Sequence, residues 1–184
     1  AMKYTVADLD GKTTTITKGA TIAAAKGILV VNSAGNYGPG VSSLVAPADA
    51  KGILAIGSVN KDLTVSSFSS RGPTGDGRIK PDLTTFGNGV SLIRSNGTVG
   101  PANGTSFSAP QITALAAGIW QAKPEWTKDK LIEMLLASGT NSAKPDNQLG
   151  YGIPRFREAL YGEILAVEEN PELIQWKIFP NPLD

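Results

Sequence analysis

Asn103-Gly104-Thr105-Ser106-Phe107-Ser108-Ala109-Pro110 opens the most apolar helical stretch of the chain. From Ser106 to Trp120 the residues Ala109, Ile112, Leu115, Ala116, Ala117 and Ile119 leave almost no polar face. That pattern predicts a helix enclosed by protein. Pro110 then falls in the first turn, where proline is tolerated. A serine at this point sits among free N–H groups at the positive end of the helix dipole, which favours an alkoxide-like oxygen and a developing oxyanion. Ser106 or Thr105 could equally be a simple N-cap, and from the local pattern alone the cap is the better reading.

Upstream, Ile28-Leu29-Val30-Val31 is an uninterrupted, largely β-branched run that predicts a strand buried on both faces of a parallel sheet. It leads into Asn32-Ser33-Ala34-Gly35-Asn36-Tyr37-Gly38-Pro39-Gly40, a loop of turn residues. A loop at the end of such a strand is where α/β proteins place functional groups. The amide of Asn36 could point a donor into a cleft, or Asn36 could merely occupy a left-handed turn, which taken alone is the better reading. Gly35, Gly38 and Gly40 fit neither the dinucleotide fingerprint nor the Walker spacing, so a phosphate loop is rejected.

Ile53–Val59 reads as a second buried strand, with weaker strand signals at Val65–Phe68, Leu83–Phe86 and Val90–Ile93. Ile16 to Lys26 has the spacing of a short helix ended by Gly27. Trp126–Ser138 predicts an amphipathic helix with Thr127 as N-cap and Gly139 beyond it. The segment Lys3–Thr17 is polar and Thr-rich, with a turn signal at Asp10-Gly11.

Composition narrows the function. The 184 residues are 41% hydrophobic and 18% charged, enough for a buried core, and Gly 21 with Pro 12 indicates a loop-rich domain. A net charge of +1 argues against an electrostatic nucleic-acid binder. No apolar run reaches membrane-spanning length. Cys 0 excludes disulfides and thiolate chemistry. His 0 removes the commonest general base at neutral pH and the commonest zinc ligand, so an enzymatic reading has to find its base elsewhere. Ala1 ahead of Met2, with no signal peptide following, is expected to mark an excised piece of a longer protein.

Taken together, these segments resemble the subtilisin-like serine proteases. Gly104-Thr105-Ser106 followed by Pro110 is similar to the nucleophile motif of that family, and Asn32-Ser33-Ala34-Gly35-Asn36 to its oxyanion-hole motif. Phe68-Ser69-Ser70-Arg71-Gly72-Pro73 and Lys80-Pro81-Asp82 resemble the stretch between them, in the same order. Ser106 follows Asn36 by 70 residues, a separation typical of the family. The resemblance implies an α/β, three-layer parallel-sheet, subtilisin-like fold, of which this chain holds the C-terminal part only. It implies that Ser106 is the acyl-forming nucleophile, and that the Asn36 side chain and the Ser106 N–H are the oxyanion donors. Ser33, Ala34 and Gly35, with Thr105 and Pro47, would bind substrate; Pro47 matches a proline often preceded by a cis bond. No cofactor is implied beyond a weak cation site near Ala48, Ala50 and Asp82.

The departure from the family is as informative. Its chain order is Asp, His, Ser, yet only 35 residues precede Asn36, none is histidine, and Asp8 and Asp10 lack the surrounding motif. The expectation is therefore the C-terminal half of a secreted or cell-surface serine endopeptidase, inactive alone because the triad His and Asp are absent. Its partners would be protein or peptide substrates and the missing N-terminal half, with self-association of the fragment through the exposed sheet edge. The alternatives are a non-catalytic subtilase-like binding module and, less well supported, a Ser–Lys hydrolase using Lys26 or Lys80.

Residues 3–160 are expected to form the partial peptidase domain and 161–184 a linker. Trp176-Lys177-Ile178-Phe179-Pro180-Asn181-Pro182 resembles the opening of the C-terminal sorting domain of type IX secretion in Bacteroidetes. Charge, prolines and the lack of apolar period leave little for this tail to bury. Truncation after Leu160 is expected to leave the melting temperature nearly unchanged; a drop of several degrees would show that Ile174, Trp176 and Phe179 dock on the domain.

Overall fold

A computed structural model describes residues 4–162, so the expectations for Ala1-Met2 and for the tail beyond Gly162 lie outside the described residues. After a 3-10 turn at Val6–Asp8 the elements run α1 (Thr15–Ala25), β1 (Val31–Ser33), β2 (Leu54–Val59), β3 (Leu83–Phe86), β4 (Asn88–Ile93), β5 (Val99–Asn103), α2 (Thr105–Ala122), α3 (Lys128–Ala137) and α4 (Phe156–Tyr161).

β1, β2 and β3 form a parallel sheet in that order, in register at Val31↔Leu54 and Ile56↔Leu83. Alternation along β2 sorts its side chains between two faces. Leu54 and Ile56, with Leu83, pack against Ile112, Ala116 and Ile119 of α2 and Leu131 and Leu135 of α3. Ala55 points the other way, onto Ala34, Leu44 and Ala48. On that second face Ala20 and Ala24 of α1 pack against Val30, Ala50 and Ile53. The result is the expected α/β layering with helices on both sides of a parallel sheet.

α1 ends as the glycine predicted. The Gly27 N–H donates to Ala24 O at 3.0 Å and the Ile28 N–H to Ala23 O at 3.2 Å, with Gly27 at φ +84°. This C-terminal cap corrects the first strand. Ile28 belongs to the end of the helix and is 55% exposed, pairing with β2 begins where Leu54 N–H donates to Val30 O, and β1 is half-buried at the sheet edge. By contrast β2 is buried at all six positions, as expected of Ile53–Val59. Val65–Phe68 is not a strand: Val65 makes a single bridge to Val59 before the chain turns. The Val90–Ile93 signal is half of an antiparallel hairpin whose other strand, β5, the sequence reading did not find.

α2 begins one residue earlier than predicted and is not enclosed. It buries one stripe, Thr105, Ser108, Ile112, Ala116 and Ile119, and leaves Gln111, Thr113, Ala114 and Ala117 exposed. Small apolar side chains made its outer face look like core. Pro110 is consequently the sixth helical residue, past the first turn. α3 is capped as predicted, Thr127 Oγ1 accepting from Lys130 N–H. α4 was not anticipated; its Ala159 and Leu160 are buried in the main core.

Lys80-Pro81-Asp82 fastens β3 to β2. The Asp82 N–H donates to Ala55 O at 2.8 Å, and one Asp82 carboxylate oxygen accepts both the Ala55 N–H, at 2.6 Å, and the Lys80 ammonium. The two side chains are only 5% and 15% exposed. Removing one partner of a buried ion pair strands the other, so Asp82→Ala is expected to cost about 3 kcal/mol or more in urea denaturation. A loss of about 1 kcal/mol or less, the size of an exposed ion pair, would show that water reaches the pair.

Candidate functional site

The loop after β1 is held in place largely by backbone. Ala34 N–H donates to Ile56 O at 2.8 Å, Val45 N–H to Ala34 O at 3.1 Å, Ser70 N–H to Gly35 O at 3.0 Å, and Gly38 N–H to Phe68 O at 2.8 Å. Tyr37 N–H donates to Ser70 Oγ at 3.0 Å. The Phe68–Ser70 stretch is thus the scaffold of the Asn36 loop. Two glycines are required there. Gly35 sits at φ +115°, where a Cβ would lie 2.7 Å from both Ser70 Oγ and Val45 Cγ2, and a Cβ on Gly38 would lie 2.2 Å from Ser69 O.

This loop meets the start of α2. The N-cap of α2 is Gly104, which has no side chain to offer, so neither Thr105 nor Ser106 caps the helix as the simpler reading held. The cap comes instead from 69 residues upstream: Asn36 Oδ1 accepts the Thr105 N–H at 2.9 Å and the Thr105 hydroxyl at 3.0 Å. Thr105, fully buried, also receives the Gly35 N–H on its hydroxyl at 3.3 Å. With its oxygen so engaged, the Asn36 amide can only present Nδ2 outward, near Gly104. Among the described residues Asn36 Nδ2, the Ser106 N–H and Ser106 Oγ all lack a hydrogen-bond partner, and Asn36 and Ser106 are both exposed. Two free donors and a hydroxyl therefore share one helix end.

A cavity of about 450 Å3 adjoins this corner, lined among others by Ser33, Gly35, Asn36, Val45, Pro47 and Thr105. Ala34, expected in the same wall, is fully buried against Leu44, Ala48 and Ala55 and is not among the lining residues. The Ala46–Pro47 bond is cis. Val45 and Tyr37 also line the cavity and were not singled out in the sequence. The Ala34–Val45 backbone bond that brings Val45 there spans residues distant in sequence, and no local signal announces it.

Other candidate groups lie elsewhere. The N–H and hydroxyl of Thr5 hold the Asp8 carboxyl below its usual range. For Asp10 burial pushes the carboxyl up, but the Lys12 and Thr13 N–H groups and the Thr13 hydroxyl outweigh it and hold it low. Both carboxylates serve local turns. Lys80 is committed to Asp82, and Lys26 is exposed at the end of α1. One Asp82 carboxylate oxygen is shared by the Lys80 ammonium and the Ala55 N–H. Among the described residues no three His, Cys, Asp or Glu side chains cluster as a metal site.

The structure thus brings an exposed serine at the start of α2 beside an asparagine held by its oxygen, at the end of a parallel α/β sheet. The Subtilase family profile matches residues 5–152, and the chain belongs to that family. It is 33% identical over 147 residues to serine protease AprX of Bacillus subtilis, covering 68% of this chain and 33% of that protein. Subtilisin J of Geobacillus stearothermophilus is 35% identical over 122 residues, 64% of this chain and 30% of that one. Among solved structures, the prenylagaramide maturation protease PagA superposes with a TM-score of 0.65 at 24% identity, over 82% of this chain and 56% of PagA, a likeness of fold. The chain thus spans about a third of the two sequence relatives and little over half of PagA.

The dual acceptor role of Asn36 Oδ1 has a measurable consequence. Asn36→Leu is expected to destabilise the chain by about 1–3 kcal/mol in urea denaturation, because it leaves the buried Thr105 donors unpaired. Asn36→Asp keeps an acceptor at the positive helix end and is expected to lose much less. Equal losses in the two variants would show that the acceptor is not what matters.

Proposed function

We propose that this chain is the nucleophile-bearing, C-terminal part of a secreted or cell-surface serine endopeptidase. Ser106 Oγ attacks the carbonyl carbon of the scissile peptide bond and its proton passes to a histidine, itself oriented by an aspartate. Both are supplied by polypeptide outside this sequence, which contains no histidine. The oxygen of the tetrahedral intermediate accepts hydrogen bonds from Asn36 Nδ2 and the Ser106 N–H. Collapse expels the amine, which takes the proton from the imidazolium, and water then releases the acyl group. Ser33, Ala34, Gly35, Pro47 and Thr105 bind the residue preceding the scissile bond. No step uses a cation.

The observation that carries this reading is the engagement of Asn36 Oδ1 by Thr105, which leaves Nδ2 and the Ser106 N–H free at the helix end that carries Ser106. Family membership supports the reaction class and protein substrates. Among the described residues no helix is long and apolar enough to cross a membrane. We further propose that Trp176–Pro182 opens a type IX sorting domain of a Bacteroidetes protein, on the motif alone.

A serine hydroxyl without an adjacent base is a weak nucleophile. The isolated chain is therefore expected not to react with a fluorophosphonate, whereas the full-length protein reacts at Ser106. Stoichiometric labelling of the isolated chain would favour a Ser–Lys mechanism, and no labelling of the full-length protein would favour a binding module. In the active protein Asn36→Leu should lower kcat by roughly 10²–10³ with KM little changed, the effect of removing one oxyanion donor from a subtilisin.

A further inference from the structure

Arg71 carries a buried donor that nothing in the described chain uses. Its Nε is shielded from solvent without a hydrogen-bond acceptor, and its guanidinium enters no ion pair among the described residues. An unmet buried donor costs stability, more so on a charged group. A guanidinium stays charged in proteins, so burial cannot neutralise it. The side chain borders a cavity of about 180 Å3, lined also by Val41, Pro73, Asp146, Asn147 and Gln148. This cavity shares no lining residue with the one beside Asn36.

The backbone around it is fixed from several directions. Gly72 N–H is shared between Lys80 O at 2.8 Å and Asn147 O at 3.1 Å, while Gly72 O accepts the Ser42 N–H at 3.0 Å. Ser43 N–H donates to Arg71 O at 2.9 Å, and Ser43 Oγ accepts the Arg71 N–H at 3.0 Å. A Cβ on Gly72 would lie 2.5 Å from Asn147 Oδ1, so only glycine lets these segments approach. Asn147 Oδ1 accepts the Lys80 N–H, which leaves Nδ2 as its free donor. Asp146 shares the cavity but forms no ion pair with Arg71; its Oδ1 already accepts the Gln148 and Leu149 N–H groups at 2.7 and 2.8 Å. A guanidinium and a free amide donor thus line one small recess.

We propose that the Arg71 cavity is a binding site for a carboxylate, supplied by a glutamate side chain of a partner polypeptide. Arg71 Nε and one terminal nitrogen hold the two carboxylate oxygens side by side, the planar fork in which a guanidinium binds most strongly. The recess is smaller than the roughly 300–1,000 Å3 of small-molecule pockets, so it takes the end of one side chain rather than a whole ligand. Val41, 78% exposed, offers the rest of that segment an apolar rim. A phosphate, with nearly two negative charges, would be repelled more strongly by Asp146 than a carboxylate is. The site does not depend on the peptidase reading.

The chain, carrying nitrogen-15, is titrated with the capped peptide acetyl-Ala-Glu-Ala-amide, its Gln counterpart, acetate and inorganic phosphate, following the Arg71 Nε–H and Gly72 N–H signals by NMR. The Glu peptide is expected to move both signals to saturation and to bind about tenfold or more tighter than the Gln peptide, the worth of a hydrogen bond to a charged group. Arg71→Lys keeps the charge without the fork and should weaken the Glu peptide about tenfold, read at Gly72. Asp146→Asn keeps the oxygen that accepts from Gln148 and Leu149 but removes a like charge. It should tighten the Glu peptide and leave the Nε–H of the free chain in place. The comparison of Glu with Gln peptide needs no variant, so a failure of either substitution to fold does not blunt it. An Nε–H that the Glu peptide does not move, equal binding of the two peptides, or an Nε–H displaced in free Asp146→Asn overturns the site. Acetate binding as tightly as the Glu peptide overturns the polypeptide as its source, and tighter binding of phosphate overturns the carboxylate.

Discussion

Asn36 Oδ1 receives two hydrogen bonds from Thr105, and the geometry of the whole corner follows from them. A helix beginning on glycine has no side chain with which to satisfy its first N–H groups, and α2 begins on Gly104. The cap is delivered by the loop that ends β1, so the strand and the helix are tied to each other where they meet. The same bonds settle which end of the Asn36 amide faces outward. One interaction therefore caps a helix, joins two distant segments and selects a donor.

That interaction works only because the loop carrying Asn36 is itself rigid. Its backbone is bonded to Ile56 in the central strand, to Val45 across the cavity, and to Phe68 and Ser70. Tyr37 is bonded to the Ser70 hydroxyl. Ser58 N–H in turn donates to Ser69 Oγ at 3.0 Å, so the Phe68–Ser70 scaffold is anchored to β2. On the far side of β2 the Lys80–Asp82 pair fixes β3. The fully buried central strand is the common reference for every group at the site.

Much of this was legible. The buried β2, the glycine end of α1, the Thr127 cap and the serine at the start of α2 each rest on a local pattern, a period or a cap residue, and each stands in the structure. The misreadings share a cause. Ile28 looked like strand because it is apolar and β-branched, yet the helix cap claimed its N–H. Ala114 and Ala117 looked like core because alanine is small and apolar, yet they lie on the outer face of α2. Neither a cap bond between Ile28 and Ala23 nor the side of a helix that meets a sheet is written in hydropathy.

The sequence by itself determined the family, through motifs short enough to be read locally: Gly104-Thr105-Ser106 before Pro110, and Ser33-Ala34-Gly35-Asn36 after a β-branched run. It also determined that this stretch of chain holds no histidine to serve as base. Only the tertiary structure decided how Asn36 is oriented, that Gly104 rather than a serine or threonine begins the helix, and that Val45 comes to line the cavity beside them. The physical reason is the range of the interactions. Period, cap and turn signals act over a few residues and leave their mark in the sequence. The bonds from Asn36 to Thr105 and from Val45 to Ala34 join segments that meet only once the sheet has formed.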